Sequence, residues 1–87
     1  MKSNQIYFET LGSALRAFAD NVASKGGVML ADISDVAMAF NGGVSYGHTA
    51  SRSFELATLK GKPTRKFAHV TLYRMESGKY ELTDYVL

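Results

Sequence analysis

Residues 33–46, Ile33-Ser34-Asp35-Val36-Ala37-Met38-Ala39-Phe40-Asn41-Gly42-Gly43-Val44-Ser45-Tyr46, can be read in two ways, and the choice sets the fold class. Read as a helix, the stretch is capped by Asp32 and places Ile33, Val36, Ala37 and Phe40 on one face. Read as a hairpin, residues 36–40 and 44–46 are strands joined through Asn41-Gly42. Asn-Gly supplies the positive φ that both central residues of a type I′ turn require. That turn signal favours the hairpin.

Upstream lies an amphipathic helix, from Thr10 or Ser13 to Lys25. Leu11, Ala14, Leu15, Phe18, Ala19 and Val22 form one apolar stripe, with Arg16, Asp20 and Asn21 on the other face. Thr10 or Ser13 can accept the orphan N–H groups at its start, and Gly26-Gly27 supplies a left-handed stop. A short strand near residues 5–9 can add an edge to a sheet.

Downstream, the chain reads as strands. Phe54, Leu56 and Thr58 alternate with Ser53, Glu55 and Ala57; Lys60-Gly61-Lys62-Pro63-Thr64 breaks the run, and residues 67–75 resume it. For the last hairpin, a two-residue Ser77-Gly78 turn sets Glu76 opposite Lys79 and Arg74 opposite Glu81. The same register sets Met75 beside Tyr80, Tyr73 beside Leu82 and His69 beside Val86. The expected core face is then Met75, Tyr73, Leu82 and Val86. The expected fold is α+β: one amphipathic N-terminal helix packed on a four- to five-stranded antiparallel sheet, in a single domain over residues 1–87. If residues 32–41 and 49–60 are helical instead, three helices followed by the 67–86 hairpin make a winged helix.

Composition narrows the chemistry. The chain has 87 residues, 46% of them apolar, and no cysteine, which excludes disulfides, thiolate metal sites and a cysteine nucleophile. The polar start and the lack of a long apolar run predict no signal peptide, no membrane span and a cytoplasmic location. His48 and His69 have no second ligand at metal-site spacing, no serine sits in a Gly-x-Ser-x-Gly elbow, and no glycine pair belongs to a phosphate loop. No metal, cofactor or catalytic residue is implied.

Net charge is +2, but it is unevenly spread: residues 1–43 sum to −1 and residues 44–87 to +3. Arg52, Lys60, Lys62, Arg65 and Lys66 form a basic patch interrupted by the single acid Glu55. Such a patch suits phosphates, and Tyr46 and Phe67, with Tyr73 or Tyr80, are aromatic candidates for stacking on bases.

The stretch Leu72-Tyr73-Arg74-Met75-Glu76-Ser77-Gly78-Lys79-Tyr80-Glu81-Leu82 resembles the central hairpin of the RelE-type ribosome-dependent endoribonuclease toxins. Their strand, turn and strand often read Tyr-Arg, then Gly-x-Tyr-Arg. Glu81 stands in place of the second arginine, and the family's strongly basic balance is missing, so the resemblance carries over no catalytic residue.

The expectation is therefore a small non-enzymatic binding or accessory protein of the size found among phages and mobile elements. Its partner is a protein met through a sheet edge or the Tyr46 region, or nucleic acid met through the 52–66 patch. An unpaired edge also gives a small core a route to extra burial in a homodimer.

Overall fold

Thr10 begins the first helix by a reciprocal cap. Its hydroxyl accepts the Ser13 N–H at 3.1 Å, while the Thr10 N–H donates to the Ser13 hydroxyl at 3.3 Å. The helix, α1 (Leu11–Ser24), follows β1 (Tyr7–Phe8) in a computed structural model that describes residues 6–40 and 43–86. At its other end Gly26 takes φ +80°, and the N–H groups of Gly26 and Gly27 return to the carbonyls of Ala23 and Val22. This is the Schellman arrangement, and it needs a residue without Cβ at Gly26. Ala14, Leu15, Phe18 and Val22 are buried, as the stripe requires.

Residues 33–39 form a second helix, α2 (Ile33–Ala39), not a strand. Asp32 caps it, its carboxylate accepting the Asp35 N–H at 3.0 Å and the Ser34 hydroxyl at 2.7 Å. The expected Asn41-Gly42 turn lies outside the described residues. What decides the segment is the pair Val36 and Phe40, four apart, which are 0% and 2% exposed. A strand would also put both residues on one face, but the helix lets them reach the core beside α1 while Asp32 satisfies the first turn. The single-helix expectation is thus corrected to two helices. Residues 44–46 do not form a strand; the chain turns there, with the His48 N–H on the Ser45 carbonyl and Gly47 at φ +76°.

The remaining elements are β2 (Thr49–Ala57), β3 (Pro63–Arg74) and β4 (Tyr80–Val86), giving an antiparallel sheet of order β1-β4-β3-β2. The class is α+β with four strands. Because residues 49–57 are strand, the helix that the winged-helix alternative places over residues 49–60 is not formed. No helix is long and apolar enough to cross a membrane among the described residues.

The last hairpin is displaced by one residue from the expected register. Met75 and Lys79 close it through the Met75 N–H on the Lys79 carbonyl, so the loop is Glu76-Ser77-Gly78, with Gly78 at φ +96°. A three-residue loop ending in a left-handed glycine outcompetes the two-residue turn. Tyr73 therefore faces Glu81, Leu72 faces Leu82 and His69 faces Tyr85, and neither expected charge pair forms across the ribbon. Ala68, Val70 and Leu72, with Tyr80 and Leu82, pack under the helices. Tyr73 turns to the opposite side, and Met75 closes the loop.

Asn21 Nδ2 reaches Asp84 Oδ2 at 3.0 Å and ties α1 to β4 on the core side. The molecule is only 19 Å through its thinnest direction, enough for one sheet and one layer of helices.

Candidate functional site

The core side of the sheet takes the even-numbered residues of β3, so its odd-numbered residues line the other face. Cross-strand partners share a face, which arranges this outer surface in rows. Glu55 and Phe67 form the first row; Ser53, His69 and Tyr85 the second; Ser51, Thr71 and Thr83 the third; Thr49, Tyr73, Glu81 and Tyr7 the fourth. None of these residues is buried, and no helix among the described residues covers the face.

Rings concentrate at one end. Tyr85 stacks on His69 with centroids 4.6 Å apart and planes at 22°, and Phe67 lies 6.4 Å from His69 on the same strand. Phe67 is 38% exposed and Tyr85 51%. His69 is fixed through Nδ1, which lies 2.7 Å from the Ser53 hydroxyl, while Nε2 is sealed from solvent with no hydrogen-bonding partner among the described residues. The imidazole thus lies between two accessible rings, stacked on Tyr85 and tilted to Phe67.

The basic segment begins beside those rings. Between β2 and β3, Leu59-Lys60-Gly61 forms a three-residue loop: the Thr58 N–H meets the Lys62 carbonyl, and Gly61 takes φ +78°. The Thr58 hydroxyl also accepts the N–H groups of Lys60 and Lys62. Leu59 is fully exposed at the tip. Farther along, pairing passes from Ala57↔Pro63 to Glu55↔Phe67, so Leu56 alone spans Thr64, Arg65 and Lys66.

This bulge is held from inside. The Thr64 hydroxyl donates to the Leu56 carbonyl at 2.8 Å and accepts the Lys66 N–H at 3.1 Å. Arg65 adopts φ +64°, the only non-glycine residue with positive φ among those described, and its N–H donates to Glu55 Oε2 at 2.9 Å. Glu55 is thereby occupied with backbone. No carboxylate lies within 4.0 Å of the charged ends of Lys60, Lys62, Arg65 or Lys66 among the described residues. On the core side, Lys66 and Lys25 share an open cleft of about 320 Å³ beside Gly26 and Gly27.

Arg52 does not join them. It projects to the core side, where its Nε donates to the Ala39 carbonyl at 2.9 Å and its Cζ lies 5.5 Å from the centre of the Phe40 ring. Its Nη1 covers the Ser51 carbonyl at 2.7 Å. Arg52 thus closes the C-terminal end of α2 and blunts the outer edge of β2.

Tyr46 is also elsewhere. It lies at the far end of the sheet against Arg74, nine residues along β3 from Arg65 and about 30 Å away by strand rise. Arg74 Cζ lies 4.5 Å from the Tyr46 ring centre and 4.7 Å from that of Tyr80. Its Nε and Nη1 donate to the carbonyls of Gly78 and Val44, and the Tyr80 hydroxyl accepts the Val44 N–H. Both aromatics and the arginine are therefore engaged in fastening the 43–48 segment to the last hairpin.

Of the residues singled out from sequence, Lys60, Lys62 and Arg65 follow one another along the loop and bulge that lead to Phe67, Lys66 lines the core-side cleft with Lys25, and Arg52 and Tyr46 lie elsewhere. Tyr85 and the supporting role of His69 are new. Their signal was present in the alternation of β3: Ala68, Val70 and Leu72 are uniformly aliphatic, whereas Phe67, His69, Thr71 and Tyr73 each carry a ring or a polar atom. The aliphatic set is the natural core. Among the described residues no group of three His, Asp or Glu side chains could hold a metal. No protein-family model, curated protein or solved structure matches the chain.

Proposed function

We propose that this protein is a non-enzymatic binding domain for single-stranded nucleic acid, which it takes across the outer face of the sheet. The observation that carries this reading is the continuity of the Phe67–His69–Tyr85 ring cluster with the bulge and loop that carry Arg65, Lys66, Lys62 and Lys60, whose charged ends have no carboxylate within 4.0 Å among the described residues. Bases unstacked from a duplex can lie on Phe67 and Tyr85, each such contact being worth about 1–3 kcal/mol. Phosphates leaving the rings meet Arg65 and then Lys62 and Lys60, while Lys66, on the core side of the same bulge, is reached by a strand that wraps round the end of the sheet. A duplex, whose bases are already stacked, gains only the cationic part.

The magnitudes predict modest affinity. Four phosphate contacts give a logarithmic salt slope of about −3 for a single strand, or roughly a 50-fold loss between about 50 and about 200 mM salt. The test is a titration with mixed-sequence strands of about 12 nucleotides, within the usual footprint of such surfaces. The chain has five tyrosines and no tryptophan, so tyrosine emission reports stacking directly. Quenching by single strands, steeply reduced by salt and lost when Lys60, Lys62, Arg65 and Lys66 are changed to Ala, is the expected result. No binding at about 50 mM salt would sink the reading and direct the search to a protein partner.

A further inference from the structure

We infer that the strand this face accepts is RNA in preference to DNA. The inference rests on the single-strand reading above and adds one observation to it, the row Ser51–Thr71–Thr83. Thr71 is the direct cross-strand neighbour of both Ser51 and Thr83, and the three lie immediately beside the Ser53–His69–Tyr85 row. Rows on one face are separated by two residues along each strand, about 6.7 Å. A base stacked on Tyr85 therefore carries its sugar to, or close beside, the hydroxyl row.

The chemistry of that row matches a ribose 2′-hydroxyl. The Ser51 and Thr71 hydroxyls lie 2.8 Å apart, so one donates to the other. The accepting hydroxyl keeps its own proton to give, and the donating one keeps lone pairs to receive. The pair is thus at once donor and acceptor, as a 2′-hydroxyl is, and no charged group is needed. Ser51 and Thr83 are exposed and Thr71 is half-buried, so the row is reachable. A deoxyribose brings only C–H to the same place and leaves these hydroxyls to water. The 2′-hydroxyl is the group by which a protein tells the two nucleic acids apart.

The rows on either side fit the same path. Phe67 and Tyr85 lie on one flank of the hydroxyls and Tyr73 on the other, so successive bases can find rings while the sugars cross the hydroxyl row. Glu81 in the Tyr73 row and Glu55 in the Phe67 row put one carboxylate at each end of the face, and Arg65, beyond Glu55, supplies the cation that sets the exit for phosphate.

The experiment compares RNA, 2′-O-methyl RNA and DNA of one uridine- or deoxyuridine-rich sequence, so that the bases are identical, by tyrosine quenching at low salt. One or two hydroxyl contacts predict a preference for RNA over DNA of about 5- to 50-fold, with 2′-O-methyl RNA losing the donor and falling between them. Ser51→Ala combined with Thr71→Val and Thr83→Val should bring RNA down to the DNA value and leave DNA binding unchanged. Thr83→Val alone, which keeps a β-branched side chain at an exposed site, should lose part of the preference if the triple variant fails to fold. Equal affinity of the wild-type protein for RNA and DNA would overturn this inference while leaving the stacking reading intact. An RNA preference that survives these substitutions would overturn it as well. Absence of binding to all three would overturn the reading beneath it.

Discussion

Changing Arg65 to Gly should make the protein more stable and a poorer binder at once. Arg65 sits at φ +64°, where an L-residue loses roughly 1–2 kcal/mol to the clash of its Cβ with the backbone. Glycine removes that clash but costs about 0.5–1 kcal/mol in chain entropy on folding. The Arg65 N–H bond to Glu55 belongs to the backbone and survives the change. The net change thus runs from about zero to a gain of about 1.5 kcal/mol, a rise in Tm of up to roughly 12 °C for a domain of this size. Binding should move the other way: one cation fewer reduces the single-strand salt slope by about 0.7. Thermal melts followed by circular dichroism give the first quantity, and titrations at several salt concentrations give the second. Arg65→Lys, which keeps both charge and strain, should change neither by much. If Arg65→Gly melts lower than the wild type and binds with an unchanged salt slope, the bulge is neither strained nor at the interface, and the reasoning fails.

Tyr85→Ala removes the more exposed ring of the cluster and should weaken single-strand binding by about 5- to 150-fold, the equivalent of one stacked base, without altering the salt slope; a changed slope would show that Tyr85 acts through the cations instead. Arg52→Ala should cost about 1–2 kcal/mol of stability, from the lost bond to the Ala39 carbonyl and the lost Phe40 contact, and leave binding untouched. Urea denaturation and the same titration check both halves. The Asp32 carboxyl is held below its ordinary value, first by the Asp35 N–H and then by the Ser34 hydroxyl. A depressed folded value means that the cap's contribution is complete above the ordinary carboxylate range and is lost as pH falls through the folded value. Backbone NMR shifts of residues 33–39 should therefore report fraying of α2 in acid, and Asp32→Asn should remove that pH dependence.

Local signals carried the reading of sequence furthest where one explanation stood alone. The α1 stripe, Thr10 and Gly26-Gly27 each point to the same helix, and the helix is there with both caps. The segment 33–40 was ambiguous because a turn signal at Asn41-Gly42 competed with helical spacing, and burial of Val36 and Phe40 is a tertiary effect that no local pattern reports. The last hairpin shows a subtler conflict. Charge pairing and a Ser-Gly turn agreed on a register, but exposed ion pairs are worth less than about 1 kcal/mol, too little to outweigh sealing Val70 and Leu72 in the core. With the register went the faces, and with the faces the position of Tyr73, His69 and Tyr85. The basic segment needed no register to be seen. That Arg52 leaves it follows from alternation along β2, because Arg52 pairs with Val70 and so shares its side.

The left-handed Gly78 has a consequence for how this surface can change over time. Because side chains alternate along a strand, the loop between β3 and β4 governs the outer face by whether its length is odd or even. With the turn type kept, adding or deleting a single residue among Glu76, Ser77 and Gly78 would shift β4 against β3 by one step, setting Tyr85 against the helices or parting it from His69. Two residues added together restore the pairing of like faces. The ring cluster therefore depends on a loop at the opposite end of the hairpin, and a single-residue length change there should be tolerated only where the turn type changes with it and keeps Met75 paired with Lys79.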